Sequence, residues 1–247
     1  MKYFAKIKYL GTNFHGFQYQ PNARTVQGEL TKSFSQLFLT DVKITGCSRT
    51  DAGVHANEFC ITAETQQASV PEEKLPEAIK RFLPPDISLY YAKIVDDDFH
   101  PRYDSKGKEY IYKIKNSRIS DPFWLNRAWF LPQQIDNDGI DAINSAISHI
   151  VGTHDFTSFM AEGSSIEDAV RTVKYLTVEK NGDEILFTIA ADGFLYNMVR
   201  IIVGTLVDVA LGRIKSSEIR DIIESKDRKN AGMTAPADGL YLNRVFY

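Results

Sequence analysis

Two runs of β-forming residues, 170–178 and 185–191, flank Lys180-Asn181-Gly182-Asp183, and an Asn-Gly pair in that setting is a strong hairpin signal. A hairpin makes its two runs antiparallel neighbours. Further strands are predicted where Tyr3, Ala5, Ile7 and Tyr9 alternate with Lys6 and Lys8, at 42–44, in the Tyr-, Ile- and Val-rich stretches 87–95 and 108–115, and at 239–245. Helical spacing appears at Val26, Leu30, Phe34, Leu37 and Phe38, and again at Ile140, Ile143, Ile147 and Ile150, where Gly152 supplies the stop. Leu195, Val199, Ile202, Leu206 and Ala210 predict a long helix ended by Gly212, and 218–225 a short one. A helix over 71–83 is predicted from a capping-box pattern at Ser69 and Glu72, a tolerated Pro71 and the terminator Pro84-Pro85. The mixture predicts an α+β fold with a largely antiparallel sheet and helices on one face. Two similar halves are expected, since Gly16-Phe17 is echoed by Gly193-Phe194. No Pro-, Gly- or Ser-rich linker separates them, so one continuous body is expected.

Several function classes are excluded early. The longest apolar stretch, about 195–211, is interrupted by Asn197, Arg200 and Asp208, so no membrane span is expected. The N-terminus has no signal-peptide pattern, and Cys47 and Cys60 lack CxxC spacing; both favour a reducing cytoplasm. Net charge is −3, so any nucleic-acid contact must rest on local positive charge. Residues 100–118 hold such a concentration, with Arg102, Lys106, Lys108, Lys113, Lys115 and Arg118 against Asp104 and Glu109.

The stretch richest in chemistry is Gly46-Cys47-Ser48-Arg49-Thr50-Asp51-Ala52-Gly53-Val54-His55-Ala56. It is polar and rich in small residues, as a loop must be to let a bulky ligand approach the backbone, and 46–56 is predicted as that loop. A lone aspartate there would ordinarily be a turn residue. The string as a whole closely resembles the RTDAGVHA signature of the TruA family of tRNA pseudouridine synthases.

That resemblance runs through the chain in order. It includes Tyr9-Leu10-Gly11-Thr12-Asn13-Phe14-His15-Gly16-Phe17-Gln18-Tyr19-Gln20, Thr25-Val26-Gln27, Leu83-Pro84-Pro85-Asp86-Ile87 and Phe99-His100-Pro101-Arg102-Tyr103. It continues with Lys108-Glu109-Tyr110-Ile111-Tyr112 and His154-Asp155-Phe156-Thr157-Ser158-Phe159. Gly193-Phe194-Leu195-Tyr196-Asn197-Met198-Val199-Arg200 and Ala235-Pro236-Ala237-Asp238-Gly239-Leu240-Tyr241-Leu242 complete it. Ser48 departs from the family's usual Gly, Pro101 from its Ala, and Asn57-Glu58-Phe59 from smaller or neutral residues.

The resemblance implies a pseudouridine synthase fold with an RNA-binding cleft between the halves. It divides the chain into 1–104, which carries the loop, and 105–247, which carries Tyr110, Arg200 and Leu240. It implies isomerisation of uridine at positions 38 to 40 in the anticodon arm of tRNA, by a cytoplasmic homodimer needing no cofactor or metal. Asp51 is the implied catalytic carboxylate, Arg200 its cationic partner and Tyr110 the aromatic ring beside the uracil. Leu240 is the apolar pocket residue. Arg49 and His55 complete the substrate-binding candidates, although a hydrogen-bonded loop histidine is the plainer reading of His55. An Arg a few ångströms from a carboxylate keeps it ionised and oriented. Gly204, one helical turn after Arg200, suggests close packing beside that row, because glycine is costly in a helix. A zinc base deaminase would need H-x-E and P-C-x-x-C, which are absent, as are GxGxxG and GxxxxGK[ST]. A non-catalytic tRNA-binding or tRNA-folding factor, or a paralogue acting on other uridines, is the alternative.

Overall fold

The alternation at residues 3–9 becomes β1 (Lys2–Tyr9) in the computed structural model, which describes residues 1–67, 70–163 and 166–247. Contacts divide the chain into two units, Met1–Lys106 with Tyr241–Tyr247, and Gly107–Leu240. The final seven residues thus belong to the first unit.

In the first unit β1 pairs antiparallel with β3 (His55–Glu64) and β4 (Ile87–Val95), while β2 (Lys43–Gly46) continues the sheet beside β3. The last strand, β10 (Leu240–Phe246), runs parallel to β3 through Tyr241↔His55 and Leu242↔Ala56. Helix α1 (Val26–Phe38) starts where the Thr25 side chain accepts the Gly28 N–H, and buries Val26, Leu30, Phe34 and Phe38. The Tyr3 ring stacks on Phe38 at 5.7 Å, which fixes one face of β1 against α1. The opposite face is also filled at this end, where Phe4 meets the edges of Phe99 and Tyr247 at 5.4 and 5.3 Å. The simple in-out alternation therefore understates burial of β1.

The helix expected over 71–83 is shorter and divided. A 3₁₀ turn, Glu72–Lys74, precedes α2 (Leu75–Ile79). Pro76 lies in the first turn of α2; without an N–H it cannot accept a continuous helix from upstream, but it suits a helix start. Glu72 is described, whereas its proposed capping partner Ser69 lies outside the described residues.

The second unit holds β5 (Gly107–Lys115), β7 (Gly152–Asp155), β8 (Val170–Asn181) and β9 (Glu184–Ala191), paired antiparallel in the order β5-β9-β8-β7. The short β6 (Trp129–Phe130) runs parallel to β5. The hairpin forms as predicted, with longer strands. Asn181 pairs with Glu184, so the two-residue turn is Gly182-Asp183, with Gly182 at φ 58°. Glycine at the first central position is the type II′ arrangement, which matches strand twist. Helix α3 (Asn137–Ile150) is capped by Asp136 and packs on β8. It also contacts α4 (Met198–Ala210) and α5 (Glu218–Ser225). Helix α4 begins after Leu195, at a left-handed Asn197. It is buried nearly all round rather than on one stripe: Ile201, Val203, Thr205 and Val207 are as enclosed as Ile202 and Leu206. Among the described residues no helix is long and apolar enough to cross a membrane.

Candidate functional site

The signature loop is shorter than its sequence suggests, because His55 and Ala56 already belong to β3. Residues 47–54 connect β2 to β3 and end in a tight turn, 51–54, in which the Val54 N–H donates to the Asp51 carbonyl at 3.2 Å and Gly53 sits at φ 83°. Thr50 is buried, and its hydroxyl lies 2.8 Å from that of Tyr9. Asp51 and Gly53 are half-buried; Arg49 and Ala52 are exposed.

The opening segment clamps this loop. The Phe17 N–H donates to the Thr50 carbonyl at 3.2 Å and the Gly53 N–H to the Phe14 carbonyl at 3.3 Å. Gly11 is required by proximity, since a Cβ there would stand 2.0 Å from the Val54 carbonyl oxygen. Gly16 is required twice over: its φ is 84°, and a Cβ would lie 2.5 Å from the Thr50 oxygen. The segment is in turn anchored by Arg24, a residue the sequence reading passed over. Its guanidinium donates to both carboxylate oxygens of Asp86 at 2.7 and 2.9 Å, to Glu29 at 3.0 Å, and lies 4.2 Å from the Phe14 ring centroid. Hydrogen bonding to Asp86 raises the Arg24 pKa, a gain that outweighs its partial burial. The Leu10 N–H also reaches the Asp86 carbonyl at 3.0 Å. The Leu-Pro-Pro-Asp motif is thus tied structurally to the loop's clamp. Gln27 does similar service, accepting the Tyr19 N–H at 2.8 Å and donating to the Ile44 carbonyl at 2.9 Å.

His55, offered as a substrate-binding candidate, has no exposed surface. Its Nδ1 accepts the Gly11 N–H at 2.9 Å and its ring stacks on Tyr241 at 4.5 Å. As the first residue of β3 it joins the opening segment and β10 through these two contacts, as the plainer reading of a hydrogen-bonded histidine has it. The departures at 57 and 58 fall where the β1–β3 register shifts between Ile7 and Tyr9. Asn57 donates to Asn243 at 2.8 Å. Glu58 accepts from Lys6 at 2.8 Å and from the Val245 N–H at 3.1 Å. Burial pushes the Glu58 pKa up, but Lys6, the Val245 N–H and the Tyr90 hydroxyl together hold it below the usual glutamate value. Both departures therefore join β3 to its neighbours. Cys47 and Cys60 are fully buried, and the Cys47 sulfur together with burial raises the Cys60 thiol, leaving it a poor nucleophile.

In the second unit, Tyr110 and Tyr112 share a face of β5. Tyr110 is 7% exposed and meets Phe194 edge-on at 5.0 Å. Tyr112 is wholly buried and donates to the Pro236 carbonyl at 2.7 Å, the core role expected of it. Arg200 is half-buried at the start of α4. Its Nε donates to the Ala235 carbonyl at 2.7 Å and its Nη1 to Asn197 Oδ1 at 2.8 Å, while the Ala235 N–H returns a bond to the Arg200 carbonyl at 3.1 Å. Two motifs distant in sequence are thereby fastened around one guanidinium. Gly204 has the close neighbour its helical position suggested: a Cβ would stand 1.9 Å from the Met233 carbonyl oxygen. Leu240 is buried as the first residue of β10.

The basic run at 100–118 divides between the units. Arg102, Lys106 and Arg118 are exposed, whereas Lys115 lies over the Trp124 ring at 5.4 Å. Among the described residues no group of three or more His, Cys, Asp or Glu is arranged to hold a metal ion.

Comparison with known proteins follows the same lines. The model of a family described as tRNA pseudouridine synthase matches residues 5–104 and 146–247. The first span holds Arg49, Asp51 and His55 and the second Arg200 and Leu240, while Tyr110 lies outside both. The chain is 48% identical over 241 residues to tRNA pseudouridine synthase A of Thermoanaerobacter sp. (strain X514), covering 98% of this chain and 97% of that one. It is 44% identical over 241 residues to the protein of that name in Acetivibrio thermocellus, with the same coverage. Against the Staphylococcus aureus (strain N315) protein of that name, identity is 40% over 246 residues, covering 100% and 91%.

Proposed function

The chain belongs to the tRNA pseudouridine synthase family, and on that premise we propose that it isomerises uridines at positions 38 to 40 of the tRNA anticodon arm, with Asp51 as the reacting carboxylate. The observation that carries the assignment of Asp51 is the enclosure of its loop. Tyr9, Phe14, Phe17 and two glycines that admit no side chain pack around residues 50–54, the kind of support a preorganised group requires.

The reaction breaks the N1–C1′ bond of uridine, turns the uracil, forms a C5–C1′ bond, and moves the C5 hydrogen off while N1 gains a proton. The base must leave its stack first, which costs a few kcal/mol. Attack at C1′, attack at C6 and proton removal at C2′ all begin with an ionised carboxylate beside the nucleotide, and Asp51 takes that part. Arg200 supplies positive charge, and its two fixed hydrogen bonds leave its guanidinium little freedom to reorient. Tyr110 presents its ring to the uracil, where a stacked base gains about 1–3 kcal/mol. Leu240 borders the base, and Arg49 contacts the RNA backbone, which positions without specifying sequence. The protein works as a cytoplasmic homodimer, in which a second subunit enlarges the basic surface available to a chain of net charge −3.

The test is tritium release from tRNA labelled at uridine C5, comparing wild type with Asp51→Asn. Wild type is expected to release tritium, and the variant to bind tRNA normally while releasing none. Release at the normal rate by the variant would overturn the assignment of Asp51. Sedimentation of the protein with and without tRNA tests the dimer, and full activity from a monomer would remove it.

A further inference from the structure

Strand β1 turns Tyr3 toward α1 and, by its period of two, Lys6 and Lys8 toward the other face of the sheet. On that face β4 carries an extra residue: Lys6 lies opposite Tyr91 and Ile7 opposite Leu89, so Tyr90 is left over. A bulge of this kind re-aims side chains. Here it brings two consecutive tyrosines to the lysine side. Lys8 Nζ lies 5.2 Å from the Tyr90 ring centroid and Lys6 Nζ 6.0 Å from that of Tyr91, while the Tyr90 hydroxyl donates to Glu58 at 3.3 Å. Tyr90 and Tyr91 are each 42% exposed. Glu58 neutralises Lys6 at 2.8 Å, but Lys8 and Lys93 on the same face are exposed.

We propose that Tyr90, Tyr91, Lys8 and Lys93 form an RNA-contact surface on this face of the first unit's sheet, with the tyrosine rings taking unstacked bases and the lysines taking phosphates. The inference rests on the tRNA reading given above and adds a contact surface to it. Exposed aromatic faces beside lysines are the combination that holds single-stranded or looped RNA, because every base has a face to stack and every linkage a charge. A phosphate strand complements this positive, ring-bearing face. The lysine–ring contacts also hold each tyrosine in place, which lowers the entropic cost of ordering it on binding.

The experiment uses the full chain and a tRNA transcript, measuring Kd across a salt series, with kcat and KM from tritium release. Tyr91→Ala is expected to weaken binding roughly 5- to 100-fold with little change in salt slope, and Tyr91→Phe to retain it. Lys8→Gln is expected to lower the slope of log K against log salt by about 1. Both losses should appear in KM, with kcat at saturating RNA preserved. Unchanged Kd and slope in Tyr91→Ala and Lys8→Gln, with normal thermal unfolding, would overturn the proposal. So would a change of oligomeric state with Kd intact, which would make this face an interface between copies. Binding is read separately from tritium release, so a failure of the isomerase reading and a failure of this surface give different results.

Discussion

Replacing Gly204 by alanine sets two physical effects against each other. In an exposed helix interior the change gains about 1 kcal/mol, because glycine gives up more backbone freedom. In α4 the new methyl would stand 1.9 Å from the Met233 carbonyl oxygen and 2.9 Å from its carbonyl carbon. Reaching even 3.0 Å requires a displacement of at least 1.1 Å (3.0 minus 1.9), and the obstacle is backbone rather than a mobile side-chain tip. Overpacking of a dense core costs about 1–3 kcal/mol, and a backbone obstacle favours the upper part of that range. The net expectation is destabilisation by about 1–2 kcal/mol, or a fall in Tm of roughly 2–8 °C for a chain this long. There is a functional corollary, since Met233 lies two residues before Ala235, whose carbonyl holds Arg200 Nε. A shifted 233–235 segment should lower kcat more than it raises KM. Thermal unfolding and tritium release, run on one preparation, would check both. A Gly204→Ala protein as stable as wild type or more so, with unchanged kcat, would refute the packing argument.

Two further outcomes follow from buried polar contacts. Tyr112→Phe leaves the Pro236 carbonyl without its 2.7 Å donor and should cost about 0.5–1.5 kcal/mol in urea unfolding, with the reaction preserved if Tyr112 has no chemical role. Glu58 has a folded pKa held below its ordinary value, so its contribution is present above the unfolded glutamate pKa and is lost as pH falls through the folded one. Glu58→Gln should therefore flatten the acid limb of the stability–pH curve, and an unaltered limb would remove Glu58 as a cause.

Local pattern carried β1, β2, β4, β5, β10, the β8–β9 hairpin and α1, because each has a period, a turn or a cap within a few residues, whereas β3, β6 and β7 were not predicted. It failed where the deciding partner is far along the chain. Arg24 and Asp86 are 62 residues apart and share no spacing rule, so the ion pair that steadies the opening segment left no trace beyond the Leu-Pro-Pro-Asp motif. His55 looked like a loop residue because the turn before it is polar, yet pairing with Tyr241 makes it the start of a strand. In α4, Val199, Ile202 and Leu206 mark a stripe, but Ile201, Val203 and Val207 between them show why the helix is enclosed on nearly every side. The tyrosines on β4 read as ordinary strand residues, since only register reveals a bulge. Gly204 was the exception: an amino acid unfavourable in a helix pointed to a neighbour 29 residues away.

The return of Tyr241–Tyr247 to the first unit bears on how the protein is made. The ribosome completes residues 107–240 before it supplies the strand that lies under His55 and carries the acceptor for Asn57. During synthesis the Asp51 loop therefore waits on a distant piece of chain, although its own sequence emerged long before. The second unit can begin to fold in that interval, since domains tend to fold as units on emergence. A nascent chain halted before residue 241 would hold the signature loop with its clamp but without its floor, and competence would arrive only with the closing strand.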